Sequence, residues 1–183
     1  MYTIVGLGNP GDEYATTRHN AGRLVVATLV DDKKTLKKAK VIVPTTFMNS
    51  SGKAVVPVIK SKKAATSLVV VHDDLDLPLG VVRVSFARGS GGHNGVKSIA
   101  KAVKTEDFIR VRIGVSKLAR GKAKKPEGEK AILAFLLGSF TKSELAKIQG
   151  PIAARAGEAI AAIMKADDPV AGMNLVNGLV PIK

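Results

Sequence analysis

The sequence predicts a three-layer α/β fold: one domain over residues 1–183, with a twisted, mixed and mostly parallel sheet flanked by helices. Three observations carry that prediction. Short apolar runs (Tyr2–Val5, Val41–Val43, Leu68–Val71) alternate with stretches whose apolar residues recur at helical spacing. These runs end in turns rich in glycine, asparagine or proline, the punctuation of strand–helix alternation. Finally, 45% hydrophobic residues with 18 glycines suit a packed globular chain, and 183 residues suffice for one sizeable core.

Tyr2–Val5 opens the chain as a buried strand, and Gly6-Leu7-Gly8-Asn9-Pro10-Gly11 turns it, since Pro10 cannot continue a central strand. Asp12–Asn20 lacks an apolar face and reads as a loop. Ala21–Lys34 carries Leu24, Val25, Thr28 and Leu29 as a helical stripe. Val41–Val43 is the next strand, closed by Pro44. Thr45–Gly52 is a second strand-end loop, and the helix after it is kinked or shortened by Pro57. Leu68–Val71 reads as a central strand ending in a turn-rich connection, His72–Gly80.

Val81–Phe86 alternates Arg83 and Ser85 with Val82, Val84 and Phe86, the pattern of an antiparallel strand exposed on one face. The glycine-dense loop Arg88–Gly95 leads into a helix over Val96–Val103. Phe108–Val115 alternates again, with Arg110 and Arg112 on one face. Ser116–Lys130 is basic, contains glycine, and is the candidate mobile segment. Thr141 and Glu144 form a capping box, Gly150-Pro151 interrupts the helix it starts, and an Ala-rich helix resumes toward Lys165.

A net charge of +14, from 29 Lys+Arg against 15 Asp+Glu, favours a polyanionic partner, because each neutralised phosphate releases counterions. A solubility charge, or adaptation to an unusual cytoplasm, is the plain alternative. The absence of cysteine excludes disulfides, thiolate metal sites and a cysteine nucleophile. Met1 leads straight into a strand without a signal peptide, and no apolar run reaches bilayer length. A cytoplasmic location away from membranes is therefore expected.

Chemistry concentrates at the strand ends, where open α/β sheets bind ligands. Three such loops present Asn9, Asn49 and Asn94, and a fourth supplies Asp73. An amide both donates and accepts, so converging asparagines suit a polar, uncharged ligand such as a peptide backbone. His19 is the natural proton acceptor, and a carboxylate such as Asp73 on its other nitrogen would fix the tautomer and stabilise the imidazolium. Taken singly, each Asn fits turn chemistry and His19 an idle loop position.

Other chemistries fit less well. Gly6–Gly11 satisfies G-x-G-x-x-G, but no helix opens within it to receive a pyrophosphate. Ser51 and Ser90 lack a nucleophile elbow. His19, His72 and His93 are not at paired helical spacing, so neither a metal nor another cofactor is expected.

As a set, these motifs resemble bacterial peptidyl-tRNA hydrolase. The residues that carry the resemblance are Gly6–Gly11 with Tyr14 and Thr17-Arg18-His19-Asn20, Pro44–Asn49, His72–Pro78, Gly91–Gly95 and Phe108–Gly114. The resemblance implies hydrolysis of the ester joining a peptide to the 3′ ribose of tRNA (EC 3.1.1.29); nothing in the sequence demands more than a monomer. His19 would activate a water and Asp73 orient His19, while Asn9, Tyr14, Phe47, Asn49 and Asn94 bind substrate. Arg112 would grip phosphate, and Asn20 and His93 would support the site. A second phosphate-gripping cation is expected near Ser85, with Arg83 and Arg88 as candidates. The lysine-dense 31–41 segment is shorter than is typical of the family, which places a missing strand or hairpin there. The competing reading is a non-catalytic RNA-binding module; aromatic content of 4% argues against base stacking but not against shape recognition of an acceptor stem.

Overall fold

The computed structural model describes residues 1–31, 36 and 38–182. Among them six strands form one sheet: β1 (Thr3–Gly6), β2 (Lys40–Ile42), β3 (Leu68–Pro78), β4 (Val82–Phe86), β5 (Ile109–Ala119) and β6 (Lys122–Lys124). The order is β2-β1-β3-β5-β4, with β6 on β5. β1 runs parallel to β2 and β3, and β3 parallel to β5. β4 and β6 are antiparallel to β5. The helices are α1 (Ala21–Asp31), α2 (Gly52–Val55), α3 (Lys62–Ala65), α4 (Asn94–Val103), α5 (Glu129–Leu137), α6 (Lys142–Lys147), α7 (Ala153–Ala166) and α8 (Pro169–Val176).

Because strand side chains alternate, the sheet buries both faces. Ile4, Val69, Val71, Val111 and Ile113 pack with Val25 and Val26 of α1 and with α7 residues such as Ala156 and Ile160. Val5, Leu68, Val70 and Phe108 pack with Val55 of α2 and with Val96, Ile99 and Val103 of α4. The expected three-layer, mixed and mostly parallel architecture is therefore present. α1 lies so close to β3 that a Cβ on Gly22 would overlap the Val71 carbonyl, so glycine is required there.

Several local expectations are corrected. β3 does not stop at Val71 but continues to Pro78, because His72, Asp73 and Asp74 pair with Arg112, Ile113 and Gly114 of β5. Asp12–Asn20 is not featureless: it contains 3₁₀ turns at Asp12–Tyr14 and Arg18–Asn20. As Pro57 leads one to expect, the helix after Ser51 is short: it covers Gly52–Val55 and ends two residues before that proline. The polar face of β4, expected to be exposed, is largely covered: Ser85 is buried and Arg83 half-buried, and on the adjoining β5 Arg110 is only 2% accessible.

Ser116–Lys130 folds largely as the end of β5, the β6 hairpin and the start of α5. Its turn is Arg120-Gly121, both at positive φ. The Thr141–Glu144 capping box forms as expected, and the chain kinks at Gly150 ahead of Pro151. The strand thought missing near 31–41 falls largely on Asp32–Thr35 and Lys37, outside the described residues. No helix among the described residues is long and apolar enough to cross a membrane.

Candidate active site

His19 sits in the 3₁₀ turn immediately before α1, at the carboxyl end of the sheet. The turn is held from behind by its neighbour Arg18. That guanidinium donates to the Gly138 and Ser139 carbonyls (3.1 and 3.0 Å), pairs with Glu144, and lies over the Phe135 ring. His19 Nδ1 is 3.1 Å from both carboxylate oxygens of Asp73. The continuation of β3 is what delivers Asp73: with its backbone locked against β5, this carboxylate cannot drift as a loop residue would.

Asp73 Oδ1 is also 2.9 Å from His93 Nε2. His93 caps α4, its Nδ1 accepting the N–H groups of Gly95 and Val96 at 3.1 and 3.3 Å. That fixes the tautomer: Nδ1 is bare, so Nε2 carries the proton and donates to Asp73. The same carboxylate draws the proton of His19 onto Nδ1. His19 Nε2 makes no hydrogen bond among the described residues, and the ring lines an open cleft.

Electrostatics follow from this sharing. Burial alone pushes the Asp73 carboxyl up, but His19 and His93 outweigh it and hold the group well below the usual carboxylate range. For His19, burial pushes down while the Asp73 charge and hydrogen bond push up; the net shift is upward from 6.5. His72 lies edge-on beneath His93, ring centroids 4.7 Å apart, and its Nδ1 donates to the Asp73 carbonyl at 2.7 Å. Burial first, then His93, push His72 well below 6.5. It is a neutral brace for the cluster.

Contrary to the reading from histidine spacing, His19, Asp73 and His93 do converge, their nearest ligand-type atoms lying within 4.8 Å of one another. The tautomers argue against a metal there. A neutral histidine that ligates through Nε2 must carry its proton on Nδ1, and on His93 that atom already accepts two backbone N–H groups. The cluster suits proton transfer.

The asparagines differ in their surroundings. Asn9 and Asn20 are locked together: the Asn9 N–H donates to Asn20 Oδ1 (2.8 Å), and Asn20 Nδ2 donates back to the Asn9 carbonyl (2.9 Å). Asn9 Oδ1 accepts from the Met48 N–H at 2.8 Å, which ties the first two strand-end loops to each other. Asn49 is exposed in the 3₁₀ turn Met48–Ser50, and Asn94 is exposed as the first residue of α4. Gly95 abuts Met48 and Leu7 with no room for a Cβ, so Asn94 borders those same loops. Tyr14 and Phe47 meet edge to face at 6.2 Å, and Phe47 is left 56% exposed beside Asn49.

The cleft, about 580 Å³, runs from His19 and Asp73 between the Arg88–Asn94 loop and α5. Arg88 and Arg112 line it. Arg112 is held by Asp74 through a 2.6 Å Nε–Oδ2 bond. Arg83 does not line it: its guanidinium reaches the Val176 carbonyl of α8 at 3.4 Å.

Sequence reasoning missed Arg110. It faces the cleft region with one bond to the Gly89 carbonyl, while its Nε and Nη2 are buried without partners. Burial, then Arg112 and Arg88, push its guanidinium down to about 10. Its cross-strand neighbour Ser85 also buries an unpartnered hydroxyl. The alternation that puts Arg110 on the same face as Arg112 was the available signal. Also missed was the apolar wall that Ile132, Leu133 and Leu136 of α5 give the cleft.

Comparison with known proteins shows the family. The family model described as peptidyl-tRNA hydrolase matches residues 3–181. The peptidyl-tRNA hydrolase of Sulfurihydrogenibium sp. is 41% identical over 179 residues, covering 88% of this chain and 90% of that protein. That of Thermodesulfovibrio yellowstonii is 38% identical and covers 98% of this chain and 100% of its own. The crystal structure of peptidyl-tRNA hydrolase from Acinetobacter baumannii superposes with a TM-score of 0.81 at 31% identity, over 100% of this chain and 97% of that one. A buried His–Asp–His cluster at the end of a mixed sheet, in a chain matched along its whole length, leads to one conclusion: the chain belongs to the peptidyl-tRNA hydrolase family.

Proposed function

We propose that this protein hydrolyses the ester between a peptidyl, or other N-acylated aminoacyl, group and the 3′ ribose of tRNA, by direct attack of water. The observation that carries the mechanism is the polarity of His19: Nδ1 is bound to Asp73, and Nε2 is left for the cleft. A water in the cleft gives its proton to Nε2 as its oxygen adds to the ester carbonyl. Asp73 stabilises the imidazolium so formed. As the tetrahedral intermediate collapses, His19 returns that proton to the departing ribose oxygen, and free tRNA and a peptide acid result.

With its Oδ1 occupied by Met48, Asn9 has its Nδ2 as the group to offer substrate. Asn49 and Asn94 read the peptide amide, and the Tyr14–Phe47 pair packs against the peptide. Asn20 positions Asn9, and His93 positions Asp73. Arg112 and Arg88 take phosphate. No metal or other cofactor takes part, and the protein acts as a cytoplasmic monomer.

The test compares kcat/KM for N-acetyl-aminoacyl-tRNA and for the same tRNA with its amine free. The acylated ester is expected to react faster by as much as about 10⁴-fold, because sites built for polar pairing reject a ligand that leaves groups unpaired. His19→Ala should cost about 10²–10⁴-fold in rate and leave tRNA affinity in place. Equal rates on the two esters would refute the amide-reading role. Full activity in folded His19→Ala would refute the mechanism, and binding without turnover by the wild type would favour the RNA-binding module.

A further inference from the structure

We infer that His72 is a positioning residue for the hydrolysis: by holding the main-chain carbonyl of Asp73 it sets the direction in which the Asp73 carboxylate points. This rests on the reaction proposed above. β1 and β3 stay paired only as far as Gly6 and Val71, and there the Val71 carbonyl accepts the Leu7 N–H at 3.0 Å. Backbone groups two residues apart on a strand face the same edge. The Asp73 carbonyl therefore faces that edge one step further on, where the chain of β1 has turned away to pair Asn9 with Asn20. β5 serves the other edge of β3. The Nδ1–H of His72, at 2.7 Å, is the partner of this carbonyl among the described residues.

That bond reaches the chemistry through the backbone. A buried carbonyl left without a partner would turn its peptide plane in search of a donor. The plane between Asp73 and Asp74 carries two carboxylates, so its rotation would re-aim both. With the plane held, Asp73 stays turned to His19, and Asp74 stays turned to Arg112 on the opposite face of the strand. The His72 ring also flanks His93, the second donor to Asp73 Oδ1.

Cost points the same way. His72 follows Leu68 and Val70 on the face of β3 that packs against α2 and α4. The residue is buried, and its Nε2 has no partner among the described residues. An apolar side chain there would remove an unpaired buried acceptor, so packing alone does not account for an imidazole. The Nδ1 bond does. The charged and titratable groups that face the ring are Asp73 of β3, His93 at the cap of α4 and Arg110 of β5. His93 and Arg110 both oppose a second proton, so the ring keeps one proton, on Nδ1, where the Asp73 carbonyl needs it.

The experiment compares wild type with His72→Leu, which fills the space without a donor, and with His72→Asn, whose Nδ2 can stand where Nδ1 stood. It reads kcat and KM on N-acetyl-aminoacyl-tRNA, and the titration of His19 by ¹⁵N NMR. His72→Leu should lower kcat about tenfold or more, since small misplacements of a reacting group cost up to about 10²-fold. KM should stay within about twofold, because no substrate contact is removed. The His19 midpoint, held above 6.5 by Asp73, should fall as the carboxylate loses its aim and burial is left less opposed. His72→Asn should recover most of kcat and of the midpoint. Packing alone predicts the opposite order, with leucine active and asparagine destabilised. Wild-type kcat and midpoint in folded His72→Leu, or His72→Asn as slow as His72→Leu, overturns the assignment. The wild type gives a test that needs no variant: ¹⁵N NMR should find the His72 proton on Nδ1, and a proton on Nε2 overturns it. Because titration and tautomer are read without turnover, a wild type that cleaves no ester yet shows a His19 midpoint set by His72 would sink the proposed function and leave the positioning of Asp73 standing.

Discussion

Asp73→Asn isolates what the carboxylate does, and its effect can be worked out atom by atom. Asp73 Oδ1 serves both His93 Nε2 and His19 Nδ1, whereas Oδ2 serves His19 alone. The cap on α4 fixes His93 as a donor, so the oxygen of the substituted amide must occupy the Oδ1 position. The new NH₂ group then faces His19 Nδ1 from the Oδ2 side, 3.1 Å away. A donor there favours the tautomer with a bare Nδ1 and a protonated Nε2, and that imidazole cannot take a proton from water.

The charge is lost as well. Imidazolium and carboxylate centres roughly 4 Å apart attract by about 4 kcal/mol at an effective dielectric of 20, or about 10³-fold in rate if felt fully in the transition state. Together the two effects place the loss in kcat at about 10³–10⁴-fold.

The pH dependence separates this from simple misfolding. In wild type the Asp73 charge outweighs burial and raises His19 above 6.5, so activity, which needs neutral His19, rises with pH along a limb centred above 6.5. In the variant burial is left unopposed, and the limb moves below 6.5. More His19 is then neutral at pH 7, yet the rate still falls. The measurement is kcat/KM on N-acetyl-aminoacyl-tRNA from pH 5.5 to 9, with ¹⁵N NMR of His19 reporting the tautomer. Activity within tenfold of wild type, or a limb that stays above 6.5, would refute the reasoning.

Two further substitutions test neighbouring claims. Asp74→Asn frees Arg112 from its 2.6 Å partner; kcat should stay within about threefold of wild type, while the salt slope of tRNA binding steepens by up to about one contact. A kcat loss matching that of Asp73→Asn would mean the two carboxylates have been assigned the wrong way round. Gly22→Ala pushes a methyl into the Val71 carbonyl and the His72 Cα, both backbone that cannot swing aside, so thermal denaturation should show a loss of at least about 1–3 kcal/mol. Gly178→Ala, with open space around it, is the control, and equal melting temperatures for the two would contradict the close α1–β3 approach.

The sheet and the His19–Asp73 pair were legible because both follow from local signals. Apolar runs set the strands, and a polar residue just after such a run falls at the sheet's carboxyl end. What stayed hidden depends on neighbours distant in sequence. His72-Asp73-Asp74 reads as a turn by composition, and only the parallel register with Arg112–Gly114 makes it strand. Arg110 and Arg112 were legible as sharing one face, but nothing in their own segment says that this face is covered and that Arg110 is buried. The second histidine on Asp73 comes from the cap of α4, and a histidine cap has no sequence signature as clear as Thr141-x-x-Glu144. Asn9 was expected to face substrate. Three of its backbone and amide groups also tie loops together, which turn propensity alone does not foretell.

The seat of Arg18 has a mechanical consequence. Its guanidinium is lodged where α5 hands over to α6, against the Gly138 and Ser139 carbonyls, Glu144 and the Phe135 ring, while its backbone is joined to that of His19. The same α5 supplies the cleft's apolar wall through Ile132, Leu133 and Leu136. The wall and His19 therefore share one strut. A ligand that prised α5 outward would draw on the turn that presents His19, so the width of the cleft and the aim of Nε2 cannot be set independently.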